Sequence, residues 1–117
     1  MKIGCKFWLE KDGIPVFGMG IYEILSRVEK YGSLHKAAQE LGMSYRAAWG
    51  KVRVYEKRLG SEFLEKGRHG RTGAHLTQAG KQAIESYGTI LKGIEEMISS
   101  KKFSPSISRV GSAKSLK

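Results

Sequence analysis

The segment Ser33-Leu34-His35-Lys36-Ala37-Ala38-Gln39-Glu40-Leu41-Gly42-Met43-Ser44-Tyr45-Arg46-Ala47-Ala48-Trp49 decides how the rest of the chain folds. A serine such as Ser33 is a strong helix N-cap, because its hydroxyl oxygen accepts from an otherwise unpaired amide of the first turn. Leu34, Ala37, Ala38 and Leu41 then share one helical face, and Gly42 ends that short helix. After the single residue Met43, Ser44 caps another helix, whose inward stripe is Ala48, Val52, Tyr55 and Leu59. The small side chains of Ala37, Ala38, Ala47 and Ala48 let the two helices cross closely at a steep angle, turning the outer face of the second away from the body. This is the pattern of a helix-turn-helix, and an ordinary αα-hairpin in a helical bundle would explain the spacing too.

Upstream, Ile21, Ile24, Leu25 and Val28 recur at helical spacing, so Gly20–Tyr31 reads as an amphipathic helix stopped by Gly32. Before it, Ile3, Cys5, Phe7 and Leu9 alternate with Lys2, Lys6, Trp8 and Glu10, the period of a half-buried strand. Asp12-Gly13 supplies a turn and Ile14–Phe17 a return strand, which predicts a β-hairpin over residues 1–18 with Cys5 as a small buried hydrophobe.

Downstream of Gly60, Phe63–Lys66 and Ala74–Thr77 are extended in character and are joined by Gly67-Arg68-His69-Gly70-Arg71-Thr72-Gly73. Two short strands with a glycine-rich basic loop make a wing over residues 61–76. The loop lacks the Gly-Lys-Ser/Thr ending and the following apolar helix of a nucleotide-phosphate loop. Thr77 can cap a last helix reaching residue 102, in which Ile84, Tyr87, Leu91, Ile94 and Ile98 repeat at spacings of 3, 4, 3 and 4. Such a seam suits pairing with a second subunit, and Ile90 and Met97 widen it. Gly80, Gly88 and Gly93 weaken this helix by propensity, so packing must hold it. Residues 103–117 are Ser-rich and basic, the composition of a flexible tail. The fold expected is mainly α (α+β): a winged helix-turn-helix over residues 1–102, with an N-terminal β-hairpin, a three-helix core over 19–60 and a long C-terminal dimerisation helix.

The 117 residues carry 21 Lys+Arg against 11 Asp+Glu, a net charge of +10 and a pI near 9.9, which favours a polyanionic partner. The charge is concentrated. Arg46, Lys51, Arg53, Lys57, Arg58, Lys66, Arg68 and Arg71 lie between Ser44 and Gly73, opposed only by Glu56, Glu62 and Glu65. With Ala48, Val52, Tyr55 and Leu59 inward, the other side of that helix presents Tyr45, Arg46, Trp49, Gly50 and Arg53. Arg46 and Arg53 can each donate two hydrogen bonds to guanine O6 and N7, and Gly50 permits close approach to a groove wall. Ser44 and Tyr45 can bond phosphates at the helix start, and Arg68 and Arg71 present charge at the wing tip. Trp49 suits either a base contact or a half-buried prop, and Lys51, Lys57 and Arg58 either phosphate contacts or a solvated face. Double-stranded DNA, bound by a homodimer, is the partner these features imply; the alternatives are a DNA-coating protein without sequence preference and a protein-binding winged-helix adaptor.

Other classes find little support. Cys5 has no partner for a disulfide, and His35, His69 and His75 are not spaced as metal ligands, so neither metal nor cofactor is expected. No carboxylate pair or nucleophile with a nearby base suggests catalysis, so an enzyme is not expected. No apolar run approaches the roughly 20 residues that cross a bilayer, and Met1–Lys6 is no secretory signal, so a cytoplasmic protein is expected.

The run Gly32-Ser33-Leu34…Ala37-Ala38…Leu41-Gly42-Met43-Ser44-Tyr45-Arg46-Ala47-Ala48-Trp49 resembles the N-terminal DNA-binding domain of the ModE family of molybdate-responsive transcription regulators. Leu76-Thr77-Gln78-Ala79-Gly80 is also similar to the wing-to-helix junction of LysR-type regulators, and the resemblance covers roughly residues 19–100. Ser-Tyr-Arg-Ala-Ala-Trp is its specific part. It implies a homodimer on a palindromic operator, with Ser44, Tyr45, Arg46 and Trp49 in the recognition segment. Residues beyond 103 are too few for a molybdate-binding module, so a stand-alone DNA-binding domain is expected, its signal arriving from a separate effector or partner.

Overall fold

The computed structural model describes residues 3–65 and 73–101. Its elements are β1 (Trp8–Lys11), β2 (Ile14–Gly18), α1 (Met19–Tyr31), α2 (Leu34–Glu40), α3 (Tyr45–Leu59) and α4 (Gln78–Ser99). Lys66–Thr72, and with them Arg68 and Arg71 of the expected wing tip, lie outside the described residues, as do residues 102–117.

β1 and β2 form an antiparallel hairpin turned by Asp12 (φ 53°) and Gly13 (φ 79°), and two consecutive left-handed residues make a turn whose twist matches the strands. The hairpin is shorter than its alternation suggested. Trp8 pairs with Gly18, the last residue of β2 before α1 begins, so Ile3–Phe7 have no strand opposite them. Cys5 is exposed rather than buried, and Ile3 (41%) and Leu9 (39%) are exposed as well. Of the expected inward face only Phe7 packs against the core.

The helix boundaries follow from their caps. Ser33 Oγ accepts from Lys36 N, Ser44 Oγ from Ala47 N and Thr77 Oγ1 from Gly80 N, each at 3.0 Å. Gly32 (φ 66°) and Gly60 (φ 80°) end α1 and α3 in the left-handed conformation, where their amides reach Val28 O and Glu56 O. Gly42 (φ 70°) turns the chain between α2 and α3, and the Met43 amide closes on Ala38 O at 3.0 Å.

The inner faces meet in one core of Phe17, Ile21, Ile24, Leu25, Val28, Leu34, Ala37, Ala38, Ala48, Val52, Phe63, Leu64, Ala74, Leu76 and Tyr87. Each large aliphatic or aromatic member stabilises by about 1.5–3 kcal/mol on leaving water. Ala37 and Ala48 are fully buried between the crossing helices, where larger side chains would force them apart. Arg27 of α1 ties α1 to α2 from outside: its Nε lies 2.7 Å from Glu40 Oε1, it also pairs with Glu23, and Tyr31 Oη donates to Glu40 Oε2 at 2.5 Å.

Tyr87 of α4, expected on an intersubunit seam, belongs instead to this core. It is fully buried, stacks on Phe7 with centroids 4.2 Å apart, touches Phe17 and Tyr22, and donates to Phe7 O at 2.9 Å. Burial, and after it the neighbouring Tyr22, pushes its phenol above the ordinary value. Two α4 glycines are explained by close packing: a Cβ on Gly80 would collide with the Phe63 carbonyl, and one on Gly88 would press on the Tyr22 hydroxyl.

Candidate nucleic-acid interface

α3 divides into two faces. Ala48, Val52 and Glu56 are buried, with Trp49, Tyr55 and Leu59 half-buried at the borders, while Arg46, Ala47, Gly50, Arg53, Val54 and Lys57 are exposed on the far side. Of the residues expected to meet a ligand, Tyr45, Arg46, Gly50 and Arg53 are thus accessible, and Ser44 is exposed at the cap. Trp49 is half-buried and packs against the core, the prop of the two roles suggested for it, and its ring lies 6.0 Å from the Arg53 guanidinium. Nothing lies within 4 Å of a Cβ placed on Gly50, so the helix can approach a partner closely there.

The wing base stands beside this helix. Leu64 pairs with Leu76, and Glu65 N donates to His75 O at 2.9 Å, so the chain on either side of residues 66–72 is held as an antiparallel pair. Its return arm is pinned to the end of α1, because Ala74 N donates to Gly32 O at 2.9 Å and Gly73 (φ 97°) fits against that same carbonyl with no room for a side chain. Gly73 and Ala74 consequently share one small cleft with Ser33, His35, Tyr45 and Trp49, which places the wing root against the start of both α2 and α3.

Several contributors escaped the sequence reading. His35, at the start of α2, stacks on Tyr45 with centroids 4.0 Å apart and planes 12° from parallel, fixing the ring at the entrance of α3. Glu56 is 7% exposed, and its Oε2 accepts from Phe63 N at 2.8 Å and Leu64 N at 3.3 Å, clamping the first arm of the wing root to α3; the two arms meet in a single bridge, Leu64 to Leu76, rather than in the two strands expected. Its position on the inward stripe was the available signal, since a buried carboxylate requires donors. Arg58 donates to Pro15 O at 3.0 Å and lies 5.1 Å from the Tyr55 ring, so it fastens the hairpin to α3.

On α4, Ile84 and Leu91 pack partly on their own core, Ile94 and Ile98 line a groove with Ile3, Cys5 and Met19, and Ile90 (43%) and Met97 (57%) are exposed. Among the described residues no cluster of His, Cys, Asp and Glu could hold a metal ion, and no helix is long and apolar enough to cross a membrane.

A three-helix core that turns an exposed basic helix face outward, with a two-armed wing root beside it, is a winged helix-turn-helix domain. The family model for the bacterial regulatory helix-turn-helix protein, lysR family, matches residues 21–81, and the chain belongs to that family of DNA-binding regulator domains. It is 35% identical over 94 residues to the molybdenum-pterin-binding protein MopB of Rhodobacter capsulatus, an alignment covering 79% of this chain and 34% of MopB. To MopA of the same organism it is 31% identical over 84 residues, covering 70% and 32%. These relatives agree with a ModE-like domain, and the chain spans about one third of their length. Among solved structures, the CbnR DBD–DNA complex matches with a TM-score of 0.57 and 24% identity over 67% of this chain and 86% of that one. ArgP from Mycobacterium tuberculosis matches with a TM-score of 0.58 and 17% identity, covering 70% and 30%. Both share the fold.

Proposed function

We propose that this protein is a transcription regulator that binds double-stranded DNA in the cytoplasm, as a homodimer on a palindromic operator, with α3 in the major groove and the wing over residues 67–73 on the adjacent backbone. The observation that carries this reading is the exposed face of α3, where Arg46, Gly50 and Arg53 stand clear of the fold at the edge where the wing root begins. A helix about 10–12 Å across fits the major groove, and an arginine there discriminates its base pair by about 1–3 kcal/mol. Ser44, Tyr45 and the α3 amides serve as phosphate anchors that set the register, and Arg68 and Arg71 grip the backbone. Trp49 holds Arg53 in place from below. The protein acts by binding, not as an enzyme.

The dimer contact we assign to α4 uses Ile84, Leu91, Ile94 and Ile98 together with the exposed Ile90 and Met97, without Tyr87. Residues 1–102 form the DNA-binding unit in this reading, and residues 103–117 add unspecific phosphate affinity. Selection from a random duplex library tests it. The expected product is a two-fold symmetric consensus with half-sites one helical turn, about 34–36 Å, or a multiple apart. Equal binding of unrelated duplexes would leave only a coating role.

A further inference from the structure

The centre of the exposed α3 face is not charged. Ala47, Gly50 and Val54 follow one another at spacings of three and four, so they form a stripe along the pole of the helix farthest from the buried Ala48, Val52 and Glu56. Val54 is 46% exposed, and nothing fills the space over Gly50. Arg46, Arg53 and Lys57 border the stripe on one side; on the other stand Lys51, whose ammonium lies over Gly20, and Arg58, which also holds Pro15 O, all five exposed. A bare valine and a bare alanine between two rows of cations suit a surface that is apolar along its middle and anionic at both edges. The floor of the major groove offers this where thymines stand, because the thymine C5-methyl is its apolar group and phosphates flank it on both sides.

We infer that Ala47 and Val54 determine specificity by packing on thymine methyl groups, so that each half-site carries thymines opposite this stripe, flanked by the guanines that Arg46 and Arg53 address. Gly50 between them keeps the helix low enough for both contacts. The inference rests on the proposed docking of α3 in the major groove.

The test uses the full chain and its selected consensus duplex, with each thymine replaced in turn by uracil, which removes one methyl and leaves every hydrogen-bonding group in place. The expected result is at least two positions per half-site where the replacement weakens binding roughly fourfold, the factor that one buried methyl contributes. The loss at one thymine should vanish in Val54→Ala and that at another in Ala47→Gly, while thermal melting and circular dichroism show both variants folded. A consensus whose affinity is indifferent to every uracil would overturn the inference and leave the proposed function standing, as would losses of equal size in wild type and both variants. Failure to select any consensus would remove the proposed function and the inference together.

Discussion

Replacing Glu56 by alanine strips the acceptor from the amides of Phe63 and Leu64, residues that are 0% and 1% exposed and have no water to turn to. The bond to Phe63 N, at 2.8 Å, is a charge-assisted one and contributes about 1.5–3 kcal/mol; the longer one to Leu64 N, at 3.3 Å, adds roughly 0.5–1 kcal/mol. The expected loss is therefore about 2–4 kcal/mol, a large part of the stability of a small domain. In thermal terms it is a drop of roughly 10–25 °C. Glu56→Gln keeps an amide oxygen at the same place and should lose only about 1 kcal/mol. Urea unfolding followed by circular dichroism measures both, and amide exchange at Phe63 and Leu64 reports the local release. The clamp fixes the wing root to α3, so DNA affinity should fall further in Glu56→Ala than partial unfolding alone explains. A change below about 0.5 kcal/mol, or equal losses in the two variants, would show that the Glu56 carboxylate does not clamp the wing root.

Gly80→Ala improves helix propensity by up to about 1 kcal/mol, yet should destabilise by a net 1–3 kcal/mol in denaturant titration, because the new methyl meets the Phe63 carbonyl. Tyr87→Phe should lose about 1 kcal/mol with its bond to Phe7 O, while sedimentation mass stays that of the wild type, as suits a residue of the protomer core. Tyr31, and after it Arg27, holds the Glu40 carboxyl below its ordinary value, so this group stabilises the fold above the unfolded pKa, and the contribution disappears as pH falls through the folded one. Melting temperatures taken between about pH 5 and 3 should fall less steeply in Glu40→Gln than in the wild type.

Local rules made most of the fold readable. Ser33, Ser44 and Thr77 each cap a helix as their positions suggested, and Gly32 and Gly60 adopt the left-handed conformation that a helix end needs. What the sequence concealed depended on partners distant along the chain. The alternation of Ile3 to Leu9 suits a strand, but pairing needs a neighbour, and β2 is used up at Gly18 because α1 must start at Met19. The repeat along α4 marks Tyr87 as inward without saying which surface it faces; Phe7, Phe17 and Tyr22 fill that side within the protomer. Glu56 is charged on an apolar stripe, and only the folding of Phe63 and Leu64 back onto α3 supplies its donors. For the candidate site, the accessible residues Tyr45, Arg46, Gly50 and Arg53 followed from helical geometry, whereas the stacking of His35 on Tyr45 required the crossing of α2 and α3.

Guanine N7 methylation interference on the selected duplex tests the central claim, that the outer face of α3 reads the major groove. The N7 atom lies in that groove, and a methyl there blocks an arginine fork without altering base pairing. Methylation of at least one guanine in each half-site should abolish binding by the wild type, and Arg46→Ala should bind methylated and unmethylated duplexes alike at that position. Full binding to duplexes methylated at every guanine would mean that α3 does not read guanines in the major groove.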